Sequence, residues 1–293
     1  MKRMVIVLAA VTLLAACRKH EEAAPPPPTA TPTAAATTSS ATPEPTSDKA
    51  PAPITVAANA PVPGSGLVLW LRGDSGVTAA ADGSVSAWTV EGSPLKAVAE
   101  KPEERPKLVA SDIGGKPAVH FDGAANVLTA DLDINPSVAP QLTVISVFKS
   151  DTEARSPLRK LYGADDGGYD RAAGLDDRAS DNKQNFTVFA GTAGVVGIFT
   201  LKANTPYLTV DSYDNARKQI NVWVNGAAAK QNVAAEHGQG LAKFYIGGTG
   251  TTYHEPWMGS LAEMLVYTRP LTDDERKKVE DYLAGKYGLT LTR

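Results

Sequence analysis

The densest run of side chains able to hold a cation lies between Tyr162 and Asn185, where Asp165, Asp166, Asp170, Asp176, Asp177 and Asp181 surround Gly167, Gly168 and Gly174. Calcium takes about six to eight oxygens from carboxylates and carbonyls, usually on a flexible loop. Asp165, Asp166 and Asp170 are therefore candidate calcium ligands. The spacing is not that of an EF-hand, and Arg171, Arg178 and Lys183 would offset the charge; the plainer account is a solvated loop whose aspartates make turns. A second candidate is the loop Thr249 to Trp257, which carries Tyr253, His254 and Trp257. Aromatic faces stack on sugar rings while a neighbouring His254 or Glu255 hydrogen-bonds hydroxyls, so these three are candidate ligand-binding residues. The alternative is that Trp257 packs in a core as the first large residue of an apolar strand, with Tyr253 and His254 merely exposed.

Signals for catalysis are sparse. His20, His120, His237 and His254 share no helical or strand spacing, no His-Glu-x-x-His occurs, and no Gly-x-Ser-x-Gly elbow offers a nucleophile. A retaining glycosidase needs two carboxylates about 5–5.5 Å apart. No Glu-x-Asp or Glu-x-x-x-Glu falls on a predicted strand, and Asp273-Asp274-Glu275 is explained by helix capping. The expectation is a protein without catalytic activity. Its single cysteine, Cys17, leaves no partner for a disulfide within the chain and no Cys-ligated metal site. A net charge of −3 without a long Lys/Arg block lacks the electrostatic footprint of a nucleic-acid binder.

The elements that must position these residues read as strands. Short runs rich in Val, Ile, Phe, Tyr, Trp and Thr recur between Gly, Asn and Asp clusters. The clearest are Gly66 to Leu71, Val85 to Thr89, Ala118 to Phe121, Leu142 to Phe148, Asn185 to Ala190, Tyr207 to Tyr213, Gln219 to Val224, Phe244 to Gly247 and Met258 to Tyr267. Asn225-Gly226 is a hairpin signal that predicts Ala227 to Gln231 pairing back on the preceding strand. One helix is predicted, with Thr272 as N-cap, Glu275 closing a capping box, Val279 and Leu283 on one face and Gly288 as the stop. It is expected to cover one end or edge of the sheets. Many strands and a lone terminal helix, without βαβ alternation, point to two packed antiparallel sheets. Trp70, Trp88 and Trp223 sit in apolar strands and read as core. Glu263, inside another, needs a buried partner, for which Arg269 is available.

These residues carry a resemblance. Gly66-Leu67-Val68-Leu69-Trp70-Leu71, Val85-Ser86-Ala87-Trp88, Phe121-Asp122-Gly123, Val144-Ile145-Ser146-Val147-Phe148-Lys149, Trp223-Val224-Asn225-Gly226 and Tyr245-Ile246-Gly247-Gly248 occur in the order seen in laminin-G-like domains of the concanavalin A-like lectin/glucanase superfamily. The segment Gly259 to Leu271, running into Glu275-Arg276 and Tyr282-Leu283, resembles the bacterial version. The resemblance covers 66–293 and implies an all-β jelly-roll sandwich with a concave, sometimes ligand-binding, face. It places Leu175-Asp176 on a strand after the acidic loop. Catalysis does not follow from it, because this fold hosts lectins, adhesion modules and hydrolases alike.

Ahead of that domain the composition changes. Lys2 and Arg3 precede an apolar stretch from Met4 to Ala16, the length of a signal-peptide core and short of the ~20 residues that span a bilayer. Leu14-Ala15-Ala16-Cys17 resembles the lipobox of bacterial lipoproteins, which implies cleavage after residue 16 and lipid on Cys17. At ~0.8 kcal/mol per buried CH₂, two or more acyl chains make stable membrane attachment. Arg18, where an Asp would mark inner-membrane retention, favours the outer membrane by the same resemblance. Residues 17–65 are rich in Pro, Ala and Thr without an aromatic, and are expected to be a disordered tether. Fully extended, its length beyond Cys17 would be about 150 Å at ~3.1 Å per residue. The expectation is thus a cell-envelope lipoprotein displaying a binding module for carbohydrate or an envelope protein. The alternatives are a structural or adhesive domain, or a glycoside hydrolase whose carboxylates the motifs do not reveal.

Overall fold

The computed structural model describes residues 51–90, 93–168, 170–178, 184–191, 196–236, 238–250 and 252–293. Cys17, His20, the signal segment and the tether up to residue 50 lie outside the described residues, as do Asp181, Lys183 and His237. The β-branched and aromatic runs become β1 (Leu67–Arg72), β2 (Val77–Ala79), β3 (Val85–Thr89), β4 (Lys96–Val98), β5 (Lys107–Ile113), β6 (Lys116–Asp122), β7 (Leu128–Ala130) and β8 (Gln141–Ser150). They continue as β9 (Arg159–Gly163), β10 (Ala172–Leu175), β11 (Phe186–Phe189), β12 (Val196–Phe199), β13 (Tyr207–Asp214), β14 (Gln219–Val224), β15 (Ala227–Ala234), β16 (Phe244–Ile246) and β17 (Met258–Tyr267), followed by α1 (Asp273–Tyr287).

Every strand pair is antiparallel, and two sheets result. One runs β15-β14-β13-β8-β17-β6-β5, with β1 beside β17; the other runs β12-β11-β10-β9-β16-β7-β4-β3-β2. Alternate residues from the facing sides interdigitate. Phe148 of β8 stacks on Phe186 of β11 at 5.2 Å, and Phe199 of β12 meets Tyr207 of β13 at 4.8 Å. Each such ring stabilises the sandwich by about 1.5–3 kcal/mol where it is fully buried. A polar cluster sits in this layer. Tyr162 of β9 donates its hydroxyl to Asp211 Oδ2 at 2.7 Å and shares a 2.9 Å hydrogen bond with Tyr213.

Local chemistry fixes the turns and the helix. Asn225 (φ 47°) and Gly226 (φ 83°) both take left-handed backbone, the requirement of a two-residue hairpin, and join β14 to β15. Thr272 Oγ1 accepts from Glu275 N–H while the Glu275 carboxylate accepts from Thr272 N–H, closing the capping box; Gly288 at φ 66° ends the helix. The helix lies across the outer face of the eight-stranded sheet and not over an end, because that face carries its partners. Glu263 of β17, fully buried, accepts from Trp70 Nε1 (2.6 Å), Tyr282 OH (3.1 Å), Lys286 Nζ (2.7 Å) and Tyr287 OH (2.8 Å). Its partners are therefore these four and not Arg269, which pairs with Glu275. Arg276 stacks over Trp223 at 4.6 Å. Trp88 is fully buried in the core, whereas Trp70 and Trp223 are half-buried beneath the helix.

Packing also reaches upstream of Gly66. Within the stretch expected as tether, Ile54 and Val62 are buried in the core and Ile54 N–H donates to Leu67 O at 2.7 Å. No helix among the described residues is long and apolar enough to cross a membrane.

Candidate functional site

The chemistry gathers on the outer face of the nine-stranded sheet, the side turned away from the eight-stranded one. A bulge puts it there. Tyr162 stands opposite Ala173 and Lys160 opposite Gly174, so Leu161 is an extra residue in β9. The insertion lets Tyr162 point into the sandwich while Lys160 points out. Gly174 is required at this crossing, since a Cβ there would meet Arg159 O at 2.1 Å and Lys160 Cα at 2.6 Å. Phe186 turns inward, so Phe189 of the same strand turns outward, and Lys160 Nζ lies 4.7 Å from its ring centre.

Lys160 donates to Asp176, just past β10, at 2.5 Å, and both side chains are fully buried. Arg178 closes on the same carboxylate, with Nε to Oδ1 at 3.0 Å, Nη2 to Oδ2 at 2.6 Å and its backbone N–H to Oδ1 at 2.8 Å. Burial pushes the Asp176 carboxyl up, but Arg178 and then Lys160 outweigh it and hold it at about 2. Burial lowers the Lys160 ammonium, against the pull of Asp176 and Glu255.

Glu255 reaches this cluster from the loop ahead of β17. His254 (φ 63°) and Glu255 (φ 30°) are consecutive non-glycine residues in left-handed backbone, a conformation that costs on the order of 1–3 kcal/mol each. Lys160 N–H donates to Glu255 O at 2.8 Å, and the Glu255 carboxylate lies 3.8 Å from Arg178 Nη2. Burial pushes this carboxyl up; Lys160 and Arg178 oppose the shift, and Asp165 and Asp176 add to it. Glu255 Oε2 is shielded from solvent yet has no hydrogen-bond partner among the described residues, and the same holds for Thr249 Oγ1 and Asp170 Oδ1. A buried polar atom left unpaired costs about 1–3 kcal/mol.

The two loops singled out from sequence meet here. A Cβ on Gly167 would come within 2.6 Å of the Tyr253 hydroxyl. Tyr253, 53% exposed, is the one large hydrophobic side chain exposed among the described residues. His254 Nε2 contacts Ala124 O at 3.2 Å. Trp257 is a correction: it is fully buried, edge-on to Phe148 at 5.7 Å, and has no face to offer a ligand. The aspartates make turns. Asp165 Oδ1 accepts from the N–H of Gly167 (2.9 Å) and Asp170 (3.4 Å), and of Asp165, Asp166 and Asp170 only Asp166 is exposed. Burial, with the Asp165 and Asp166 charges, raises the Asp170 carboxyl to about 6, against the Asp166 N–H. Among the described residues no three His, Cys, Asp or Glu side chains converge as a metal shell, the candidate calcium ligands Asp165, Asp166 and Asp170 included. Lys160 escaped the sequence reading because a lysine in a five-residue segment reads as a solvated position. A lysine next to leucine and tyrosine was the available signal.

Two cavities lie elsewhere, about 510 Å³ and 590 Å³, on either side of Ile54 and Thr55. The first is bordered by Leu95, Lys96 and Lys243, the second by Trp70 and Arg72. Neither contains the unpaired atoms above.

No protein-family model matches the chain, and no curated protein is similar to it in sequence. Solved structures are similar in fold. Trypanosoma rangeli sialidase in complex with the inhibitor DANA superposes with a TM-score of 0.51 at 20% identity over 79% of this chain and 35% of that one. The same sialidase in complex with sialic acid gives 0.51 at 17% identity, over 81% and 36%. Domain 4 of AbnA, a GH43 extracellular arabinanase from Geobacillus stearothermophilus in complex with arabinotriose, gives 0.43 at 16% identity, over 58% and 78%. The chain spans about a third of the length of the sialidases it matches. The expectation of a protein without catalytic activity is overturned: the sandwich recurs in chains that are enzymes, so a missing Glu-x-Asp-x-Glu motif does not exclude turnover.

Proposed function

We propose that the outer face of the nine-stranded sheet is a carbohydrate-binding surface, carried by a laminin-G-like module of an exported protein that lipid on Cys17 holds at the outer membrane. One observation carries the sugar reading. The exposed ring of Tyr253 packs against the Gly167 turn beside exposed Asp166, which pairs a stacking platform with a hydrogen-bonding group, as sugar recognition requires. The fold shared with a sialidase crystallised with sialic acid makes carbohydrate the class to test first. Isothermal titration against oligosaccharides, with and without calcium, is the experiment. Tyr253→Ala should weaken binding at least about tenfold without changing Tm, as loss of an aromatic anchor does. Absence of heat with every sugar would sink the reading.

Turnover at the same surface is the second reading. Environments that drive two carboxyls apart are what acid–base chemistry needs; burial raises Glu255 while Arg178 and Lys160 hold Asp176 at about 2. Release of new reducing ends from a polysaccharide, lost in Glu255→Gln, would support it. The anchor has its own test. Intact-mass analysis of the envelope fraction should find acyl chains on Cys17, and an unmodified chain shed into the medium would refute it.

A further inference from the structure

The cavity of about 510 Å³ beside Ile54 carries charge where it meets solvent, and neither Tyr253 nor Asp166 is among its walls. Three strands place that charge. β4, β7 and β16 lie side by side, with Ala97 opposite Ala130 and Ala130 opposite Phe244. These three side chains are buried in the core, so their chain neighbours Lys96, Asp131 and Lys243 turn outward. Carried one residue on, the same register sets Asp131 between the two lysines, at the ~4.8 Å spacing of adjacent strands. All three border the cavity, and Lys96 and Asp131 are exposed. Lys243 also pairs with Glu100 at 3.4 Å. Behind this row Val98 stands opposite Thr129, and both border the cavity as well. Ile54, Pro94 and Leu95 add apolar wall. Two residues ahead of Ser93, Glu91 lies outside the described residues; a further carboxylate there would add to the pull on an ammonium.

Independently of the sugar reading, we infer that this cavity binds a free α-amino acid with a large apolar side chain. Such a ligand carries a carboxylate and an ammonium on one carbon, close enough to meet side chains on neighbouring strands. Its carboxylate faces the Lys96 ammonium while its ammonium faces the Asp131 carboxylate. The apolar side chain then enters the cavity along Leu95, Val98 and Ile54. Other small ligands match less of this wall. A fatty acid brings a carboxylate alone, which Asp131 and Glu100 oppose, and a neutral sugar has nothing apolar to set against proline, leucine and valine. Exposed ion pairs change affinity only about twofold to fivefold each. Burial of the ligand side chain therefore supplies most of the binding, and a half-open site of this kind should have a Kd of about 1 mM.

An NMR titration of the full chain tests this, with leucine, phenylalanine, tryptophan and glycine as ligands. Two analogues of phenylalanine isolate its charges: 2-phenylethylamine lacks the carboxylate and 3-phenylpropionate lacks the ammonium. Phenylalanine should shift the amides of Leu95 to Val98 and of Thr129 in a saturable way. Glycine should bind at least about tenfold more weakly, for want of a side chain to bury. Each analogue should bind about twofold to fivefold more weakly than phenylalanine. Lys96→Gln should erase the gap between phenylalanine and 2-phenylethylamine, and Asp131→Asn the gap to 3-phenylpropionate. A merely structural role would weaken all three ligands alike and keep both gaps. Both positions are exposed, so neither substitution disturbs the core. Binding by the full chain would also show that the residues ahead of Pro51 do not fill the cavity themselves. No shift with any amino acid, analogues bound as tightly as phenylalanine, or gaps that survive both substitutions would overturn the inference and leave the Tyr253 surface untouched.

Discussion

Asp211 offers a sharp test of the physics inside the sandwich. Its carboxyl is fully buried between the sheets, accepts one hydrogen bond from Tyr162, and among the described residues has no partner at Oδ1. Burial, only partly offset by the Tyr162 hydroxyl, pushes it from the ordinary 3.8 to about 7. The folded protein therefore holds a proton there that the unfolded chain has released between those two values. Stability falls as pH rises wherever the native state binds more protons. At about 1.4 kcal/mol per pH unit, the loss accumulated by pH 8 is on the order of 4 kcal/mol. Asp211→Asn has the same shape and no charge. Its amide oxygen still accepts from Tyr162, and its unpaired NH₂ costs about 1–3 kcal/mol at every pH. The stability of the variant relative to the parent should thus climb by on the order of 4 kcal/mol from pH 4 to pH 8, crossing from less stable to more stable. Asp170 and Glu255, also raised, belong to both proteins and cancel in the difference. Urea unfolding at half-unit pH intervals measures it. A difference that stays flat across the range would refute a protonated carboxyl in the core.

Two further substitutions probe the scaffold. Glu263→Gln leaves four donors facing a single amide oxygen and an NH₂ group, so it should cost on the order of 3 kcal/mol and speed amide exchange throughout α1; unchanged exchange would mean the helix is held by apolar contacts alone. Gly174→Ala forces a methyl onto the Arg159 carbonyl and should cost about 1–3 kcal/mol while displacing Lys160. A variant with the parent's Tm and sugar affinity would show that the bulge is not needed to present Lys160.

The parts of this fold that sequence reveals are those written in local chemistry. Thr272, Glu275 and Gly288 delimit the helix through caps, and Asn225-Gly226 demands a hairpin, so α1 and the β14–β15 turn follow from a few residues. Strand β14 alternates buried and half-buried residues, and β17 shows instead as a long, continuously buried run. By contrast, β9 and β10 carry a lysine, an arginine and glycines, and their pairing rests on a bulge that only the partner strand defines. The candidate site divides the same way. Asp165, Asp170, Tyr253 and Glu255 lie in segments whose composition stands out. Lys160 matters because Asp176, sixteen residues away, comes back against it. Trp257 misleads for the converse reason: its side chain fills the gap beside Phe148, a vacancy that belongs to β8.

The segment around Ile54 and Val62 has a mechanical consequence. Ile54 N–H holds the Leu67 carbonyl, and both apolar side chains plug the sandwich from its amino-terminal side. Tension arriving along the backbone from that side meets this short stretch first and detaches it piecemeal, like tape lifted from one end, before it loads the many bonds between β1 and β17. The same stretch walls both cavities. Stretching would therefore unroof them while both sheets stay whole.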